Sequence, residues 1–234
     1  MRTSRLFLNR LNAAPDSHDA VVVIDVLRSF SVAAYAFAAG ASVIYPVETI
    51  SDALYLQAAM PDALTTGAVA GGDAAPGFDF GNSPTALQGA ELAGRALIQS
   101  TAAGVLGLTR FRHARALFAG SLLFARATAQ ALLDLHPEEV CFVITGEWVD
   151  RDGDEDVACA DYIEALLHGD NPDPAPYADR VRNSDFGRRF LAGTNPSLPA
   201  SDLELCAQAD LFDFALRAEH TDGRLQLQRY RAGG

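Results

Sequence analysis

Val21-Val22-Val23-Ile24-Asp25-Val26-Leu27-Arg28 is the stretch that decides the fold class. It opens with an unbroken apolar, β-branched run of the kind that fills a central strand covered on both faces. The run stops on a carboxylate, and an arginine follows one turn later. In open α/β sheets ligands sit beyond the carboxyl ends of the strands, so an acid and a cation at this point are placed for chemistry.

Outward from this run, short apolar segments alternate with longer Ala/Leu-rich ones. Strands are expected at 20–24, 42–47, 95–100, 116–119 and 140–145. Helices are expected at 30–39, 51–59, 85–93, 106–113, 122–135 and about 155–168. Such alternation favours an α/β fold with a largely parallel sheet covered on both sides. The polar stretch 177–191 has a helical pattern and lies between Pro/Asn-rich loops at 169–176 and 194–199. The tail segments 211–216 and 225–230, joined through Thr221-Asp222-Gly223-Arg224, read as a β-hairpin that makes the sheet mixed. With neither a dividing linker nor an internal repeat, residues 1–234 read as one domain.

The bulk composition narrows the function. Hydrophobic residues make up 49% of the 234, enough for a sizeable core. A net charge of −12 argues against nucleic acid or an anionic membrane as partner. All 18 basic residues are arginine. The absence of lysine excludes a Schiff-base or Walker-type lysine, and leaves arginine, backbone amides and metal to bind anions. Cys141, Cys159 and Cys206 are odd in number and lack metal-site spacing, as expected of a reduced, cytoplasmic protein. Residues 1–12 lack the apolar core of a signal peptide. No run reaches the roughly 20 apolar residues that span a bilayer.

Three constellations are suited to chemistry. Asp25 can hold Mg²⁺ or orient a water, and Arg28 can grip a phosphate with two parallel N–H bonds. The plainer alternative is that Asp25 caps the next helix and Arg28 pairs with an acid elsewhere. Next, Gly153-Asp154-Glu155-Asp156 opens a helix whose dipole favours acids in its first turn. Because it follows the strand at 140–145, Glu155 or Asp156 can also point into the crevice of Asp25, a setting for a hard divalent cation. The two are adjacent, so one ligates while the other caps or faces solvent. Asp161 lies further along the same helix. Third, Gly77-Phe78-Asp79-Phe80-Gly81-Asn82-Ser83-Pro84 forms a tight loop that presents a helix start to an anion. Ser100-Thr101-Ala102-Ala103-Gly104 and Gly120-Ser121 follow expected strands and offer amides in the same way. The five histidines form no zinc motif, no G-x-S-x-G elbow is present, and Cys159 reads as core rather than nucleophile.

Taken together, Val23-Ile24-Asp25-Val26-Leu27-Arg28, the Gly77–Pro84 string, Gly120-Ser121 and Glu155-Asp156 with Cys159-Ala160 resemble the Mg²⁺-dependent 2-phosphosulfolactate phosphatases and their bacterial relatives. Cys206-Ala207-Gln208 and Asp210-Leu211-Phe212-Asp213 resemble the family's C-terminal part. The resemblance implies a three-layer α/β/α sandwich with a largely parallel, mixed central sheet, and Mg²⁺-assisted hydrolysis of a phosphorylated 2-hydroxy acid. On that reading Asp25 with Glu155 or Asp156 holds the metal. Arg28, Asn82, Ser83, Thr101, Gly104 and Ser121 hold the phosphoryl group and its substrate, and Asp79 is either general base or a brace of its own turn. The implied partner is a small anionic phosphoester, and a homodimer stays open. Many members carry G-E-R and a lysine ahead of the G-F-D string, whereas residues 67–76 here contain no Glu, Arg or Lys. The family's T-N-G-T-R stands here as Thr101-Ala102-Ala103-Gly104-Val105-Leu106. These losses keep a second reading in play, a paralogue that binds an anionic metabolite without turning it over.

Overall fold

The β-branched run behaves as its composition demands: Ala20 through Ile24 form a strand in which every residue is fully buried. The computed structural model of the chain describes residues 1–12, 18–69 and 72–231. Nine strands among them form one sheet: β1 (Arg2–Phe7), β2 (Ala20–Ile24), β3 (Val43–Pro46), β4 (Leu64–Gly67), β5 (Ala96–Ser100), β6 (Ala116–Gly120), β7 (Glu139–Ile144), β8 (Ala215–Thr221) and β9 (Arg224–Tyr230). Their order is β1-β7-β2-β6-β8-β9-β3-β5-β4. β1, β7, β2 and β6 are parallel, as are β3, β5 and β4, and the antiparallel hairpin β8–β9 joins the two groups.

Eight helices complete the described chain: α1 (Ser29–Ala38), α2 (Ile50–Ala59), α3 (Gly104–Arg110), α4 (Ala125–Leu135), α5 (Asp154–Leu167), α6 (Ala175–Asn183), α7 (Asp185–Leu191) and α8 (Ala200–Cys206). Successive strand residues face opposite sides of a sheet, so β2 feeds two cores. Val22 and Ile24 pack with Leu132 of α4, Ile163 of α5, Val181 of α6, Phe190 of α7 and Leu203 of α8. Val21 and Val23 pack with Phe30 and Phe37 of α1 and Leu108 of α3. The result is the α/β/α sandwich with a mostly parallel, mixed sheet.

Pairing directions make the two parallel groups run in opposite senses. Sheet twist of roughly 20–25° per strand pair accumulates to about 100–125° over the five intervals from β2 to β5. The C-terminal end of β5 is thereby swung back to the rim where β2 ends. Gln99 Nε2 donates to the Ser29 carbonyl at 2.8 Å, and Ser29 Oγ donates to Thr101 Oγ1 at 2.9 Å. This return brings the loop after β5 against the first residues of α1.

Several expected elements differ in the structure. The helix expected at 85–93 is a single 3₁₀ turn at Thr85–Leu87. Gly89 follows at φ +79°, outside helical backbone space. The helical pattern at 177–191 is two helices, because the Ser184 hydroxyl accepts from Gly187 N at 2.9 Å and caps a new start. The stretch 122–135 begins with a 3₁₀ turn at Leu122–Phe124 before α4. The hairpin's first strand starts at Ala215 rather than 211. Strands β1 and β4 and helix α8 were not expected. Both strands are sheet edges, where a short or half-polar sequence suffices.

Among the described residues no helix is long and apolar enough to cross a membrane. All three cysteines are buried and free, and burial pushes the Cys159 thiol well above its ordinary range. That agrees with a core role for Cys159.

Candidate active site

Where β2 ends, Asp25 turns the chain into α1. Its amide donates to Gly120 O at 3.2 Å, and its Oδ1 accepts from Ser29 N at 3.0 Å. Its Oδ2 faces Gly104 so closely that a Cβ there would stand 2.8 Å from the oxygen. Only glycine lets the start of α3 approach this carboxylate. Asp25 is 6% exposed, and burial pushes its carboxyl up against the pull of the Ser29 and Gly104 amides and of Arg151.

From the neighbouring strand β7 the chain passes through a loop, 146–153, into α5. Glu155 and Asp156 are 1% and 0% exposed. Asp156 is engaged with backbone: Oδ1 accepts from Val26 N at 2.9 Å, and Oδ2 from Thr145 N at 3.0 Å and Gly146 N at 2.7 Å. It clips together the ends of β2 and β7. Burial and the neighbouring Glu155 and Asp25 push its carboxyl well up, against the amides of Val26 and Gly146.

Glu155 is different. Both of its oxygens are buried and lack a hydrogen-bond partner. The Ser184 hydroxyl nearby is spent on Val181 O at 3.1 Å. Gly146 leaves room for the carboxylate, since a Cβ there would lie 2.5 Å from Glu155 Oε1 and 3.2 Å from Asp156 Oδ2. Burial pushes Glu155 up to about 7; its own backbone amide, the Ser184 hydroxyl and Arg151 oppose the shift, and Asp152 adds to it. Asp25, Glu155 and Asp156 thus stand together at one rim, as mutually repelling acids, without an ion pair among the described residues.

Arg28 reaches this region as half of a buried ion pair. Its Nη1 donates to Asp202 Oδ2 at 2.5 Å and to Ser197 O at 2.9 Å, and its Nη2 to Gly72 O at 3.4 Å. The guanidinium lies over the Phe190 ring at 5.4 Å. A guanidinium has five N–H donors, so the Nε–H and one Nη2–H remain for a further acceptor. Asp202, on α8, also takes Ser83 Oγ at 2.8 Å and Thr85 N at 3.1 Å on its other oxygen. It therefore ties Arg28 to the Gly77–Pro84 loop. Replacing it with alanine leaves Arg28 buried without a counter-charge, at an expected cost of about 3–5 kcal/mol. Denaturant unfolding of Asp202→Ala checks this, and a change within about 1 kcal/mol would show the pair to be dispensable.

The remaining sequence candidates divide. Thr101 Oγ1 accepts from Ser29 Oγ and from Val105 N at 3.4 Å, beside the Asp25 turn. Asn82 Oδ1 is buried without a partner. Asp79 is exposed and braces its own loop: Oδ2 accepts from Thr65 N and Thr65 Oγ1, both at 2.8 Å, and from Gln57 Nε2 at 2.9 Å. It does not join the carboxylate cluster. Ser121 is fully buried against the Ser31 hydroxyl at 2.8 Å, beneath the site rather than in it. Asp161 pairs with Arg5 at 2.6 Å and Arg180 at 2.5 Å on the outer side of α5. Within 67–76, residues 70 and 71 lie outside the described residues.

Two residues escaped sequence reasoning. Asp202 looked like any acid in a first helical turn, and Arg151 lay in a loop dominated by acids. A cavity of about 430 Å³ lies at the opposite rim, where the parallel strands begin, lined by residues such as Asp19, Arg115 and Glu139. It shares no residue with this site.

A sandwich with buried acids gathered where its parallel strands end has the open-sheet α/β form, in which ligand sites lie beyond the carboxyl ends of the strands. A family model described as 2-phosphosulpholactate phosphatase matches residues 7–220. The chain belongs to the 2-phosphosulfolactate phosphatase family. It is 33% identical over 208 residues to a Bacillus subtilis (strain 168) protein named "Probable 2-phosphosulfolactate phosphatase", covering 88% of this chain and 90% of that one. A relative of the same name from Carboxydothermus hydrogenoformans is 36% identical over 226 residues, 91% of each chain. Another from Deinococcus radiodurans is 35% identical over 161 residues, 68% of this chain and 66% of that one.

Proposed function

We propose that this protein is a Mg²⁺-dependent phosphohydrolase for a small phosphorylated 2-hydroxy acid, of the kind its relatives' names specify. The observation that carries the proposal is Glu155, a buried carboxylate with both oxygens unpartnered, beside Asp25 and Asp156. Such a cluster is costly unless a cation joins it.

The donor set fits Mg²⁺. Asp25 and Glu155 offer hard oxygens, and no cysteine or histidine stands among them. Among the described residues no group of three or more His, Cys, Asp or Glu is arranged to hold a metal ion. Mg²⁺ typically takes one or two carboxylates and completes its shell with water and phosphate oxygens, so the proposal asks only Asp25 and Glu155 to ligate it. When bound, it would neutralise phosphoryl charge and lower the pKa of a bound water.

The chain's own residues would do the rest. Asp156 holds the amides of Val26, Thr145 and Gly146, fixing the strand ends that carry Asp25. The uncommitted N–H edge of Arg28 would donate to phosphoryl oxygens, its plane set by Asp202 and Phe190. Thr101, the Gly104 amide, Asn82 and Ser83 line the approaching loops as substrate contacts. The setting proposed is a reducing cytoplasm, and the negative net charge argues against nucleic acid and membranes as partners.

The test is phosphate release from a panel of phosphorylated 2-hydroxy acids, 2-phosphosulfolactate included, by chelator-stripped protein with and without restored Mg²⁺. Release that requires Mg²⁺ is expected. No release from the folded protein, or release indifferent to chelation, would refute the proposal.

A further inference from the structure

Every charged side chain of the loop 146–153 but one is tied down. Glu147 takes Arg10 Nε at 2.8 Å. Arg189 Nη2 donates to Asp150 O at 2.9 Å and Asp150 Oδ2 at 2.8 Å. Asp152 Oδ1 accepts from Asp154 N at 3.1 Å and Asp185 N at 3.2 Å. Trp148 and Arg151 exchange backbone hydrogen bonds of 3.0 and 3.2 Å, closing a tight turn. Arg151 alone among the loop's charged side chains makes no ion pair or side-chain hydrogen bond among the described residues. Its guanidinium rests on the Phe186 ring at 4.7 Å. In a chain where most arginines are tied to carboxylates, this one is held in place and left open.

Its support connects it to Arg28. Phe186 and Phe190 are one helical turn apart on α7 and pack edge to face at 5.4 Å. Arg151 lies over the first ring, and Arg28 over the second at 5.4 Å. Arg189 also lies over Phe186 at 5.9 Å but is spent on Asp150, so Arg28 and Arg151 are the two guanidinium groups of this aromatic ledge with N–H edges to spare beside the carboxylate cluster. Planar cations on aromatic faces keep their N–H edges free for planar anions.

We infer that Arg151 is the specificity-determining residue that grips a second acidic group of the substrate, a carboxylate or sulfonate next to the phosphorylated carbon, while Arg28 faces the phosphoryl group. The inference rests on the phosphohydrolase reading and adds to it the residue that selects acids over neutral phosphoesters. The acidic surroundings make that selection necessary, because Asp25 and Glu155 would repel a second negative charge that no cation met.

Two esters of matched shape test it, 2-phospholactate and isopropyl phosphate, which differ in a carboxylate against a methyl. Wild type should favour 2-phospholactate in kcat/KM. Arg151→Gln should lower that preference on the order of 100-fold, as expected for loss of a charge-assisted bidentate pair. Arg151→Lys should recover part of it, since a point charge replaces the fork. A loss shared equally by both esters, or no loss, overturns the inference. Should wild type hydrolyse no phosphorylated 2-hydroxy acid, 2-phosphosulfolactate included, the phosphohydrolase reading fails separately. The same pair is then titrated by calorimetry into wild type and both variants. A preference for 2-phospholactate that the variants lose supports Arg151, and equal affinities overturn it.

Discussion

Asp25→Asn is expected to reduce Mg²⁺-dependent phosphate release on the order of 10³-fold or more in kcat/KM. The substitution keeps the shape and leaves an oxygen that can still accept from Ser29 N, so α1 retains its start. What it removes is a negative charge at a strand end where the other acids already repel one another. It also sets an amide N–H₂ against Gly104, whose backbone amide now donates to this carboxyl. The metal-free variant should melt close to wild type, because removing a charge that burial disfavours offsets the lost Gly104 bond. Steady-state kinetics beside a thermal melt separate the two effects. An active variant, or one inactive because unfolded, would contradict this account of Asp25.

Glu155→Gln is expected to move stability and activity in opposite directions. Glu155 has a carboxyl raised from 4.5 to about 7 in the folded protein. Between those values the native state binds more protons than the unfolded one, so stability falls as pH rises. The favourable contribution is fully present below about 4.5 and lost as pH passes about 7. A glutamine carries no charge to bury, so the metal-free variant should be more stable than wild type at pH 8 by roughly 2–3 kcal/mol. For a chain of this size that is a rise in Tm of about 5–10 °C. The gain should vanish in acid. Phosphate release should fall at least on the order of 100-fold, because a proposed cation ligand is gone. Melting curves from pH 4 to 8 after chelation check the sign. A variant less stable than wild type at pH 8 would mean that Glu155 has a partner in the fold.

The sheet's centre was legible because its burial is two-sided. A strand covered on both faces has to be apolar throughout, and 20–24 is. The edge strands escaped for the converse reason: Arg2-Thr3-Ser4-Arg5 needs little apolar surface to pair with β7, and Leu64–Gly67 is four residues long. Helix 85–93 failed because its Ala/Leu content resembles a helix while Gly89 sits in left-handed backbone space.

At the site, sequence could bring Asp25, Glu155 and Asp156 to one rim but could not divide the labour between the two adjacent acids. That division depends on which carboxylate meets the amides of Val26, Thr145 and Gly146, a matter of register between β2, β7 and the start of α5. Asp202 was beyond reach for a different reason. It meets Arg28 across 174 positions of chain, and nothing local distinguishes it from a helix cap. The Asp79 carboxylate shows the reverse limit, since a motif can draw attention to a residue whose side-chain bonds only pin its loop to β4 and α2.

The most direct test of the central claim, that these buried acids form a cation site, is a calorimetric titration of Mg²⁺ into chelator-stripped protein with inorganic phosphate present. Asp25→Asn and Glu155→Gln are run beside wild type. The account predicts saturable binding by wild type that is lost in both variants. Wild type that takes up no Mg²⁺, or variants that bind it as well as wild type, would contradict it.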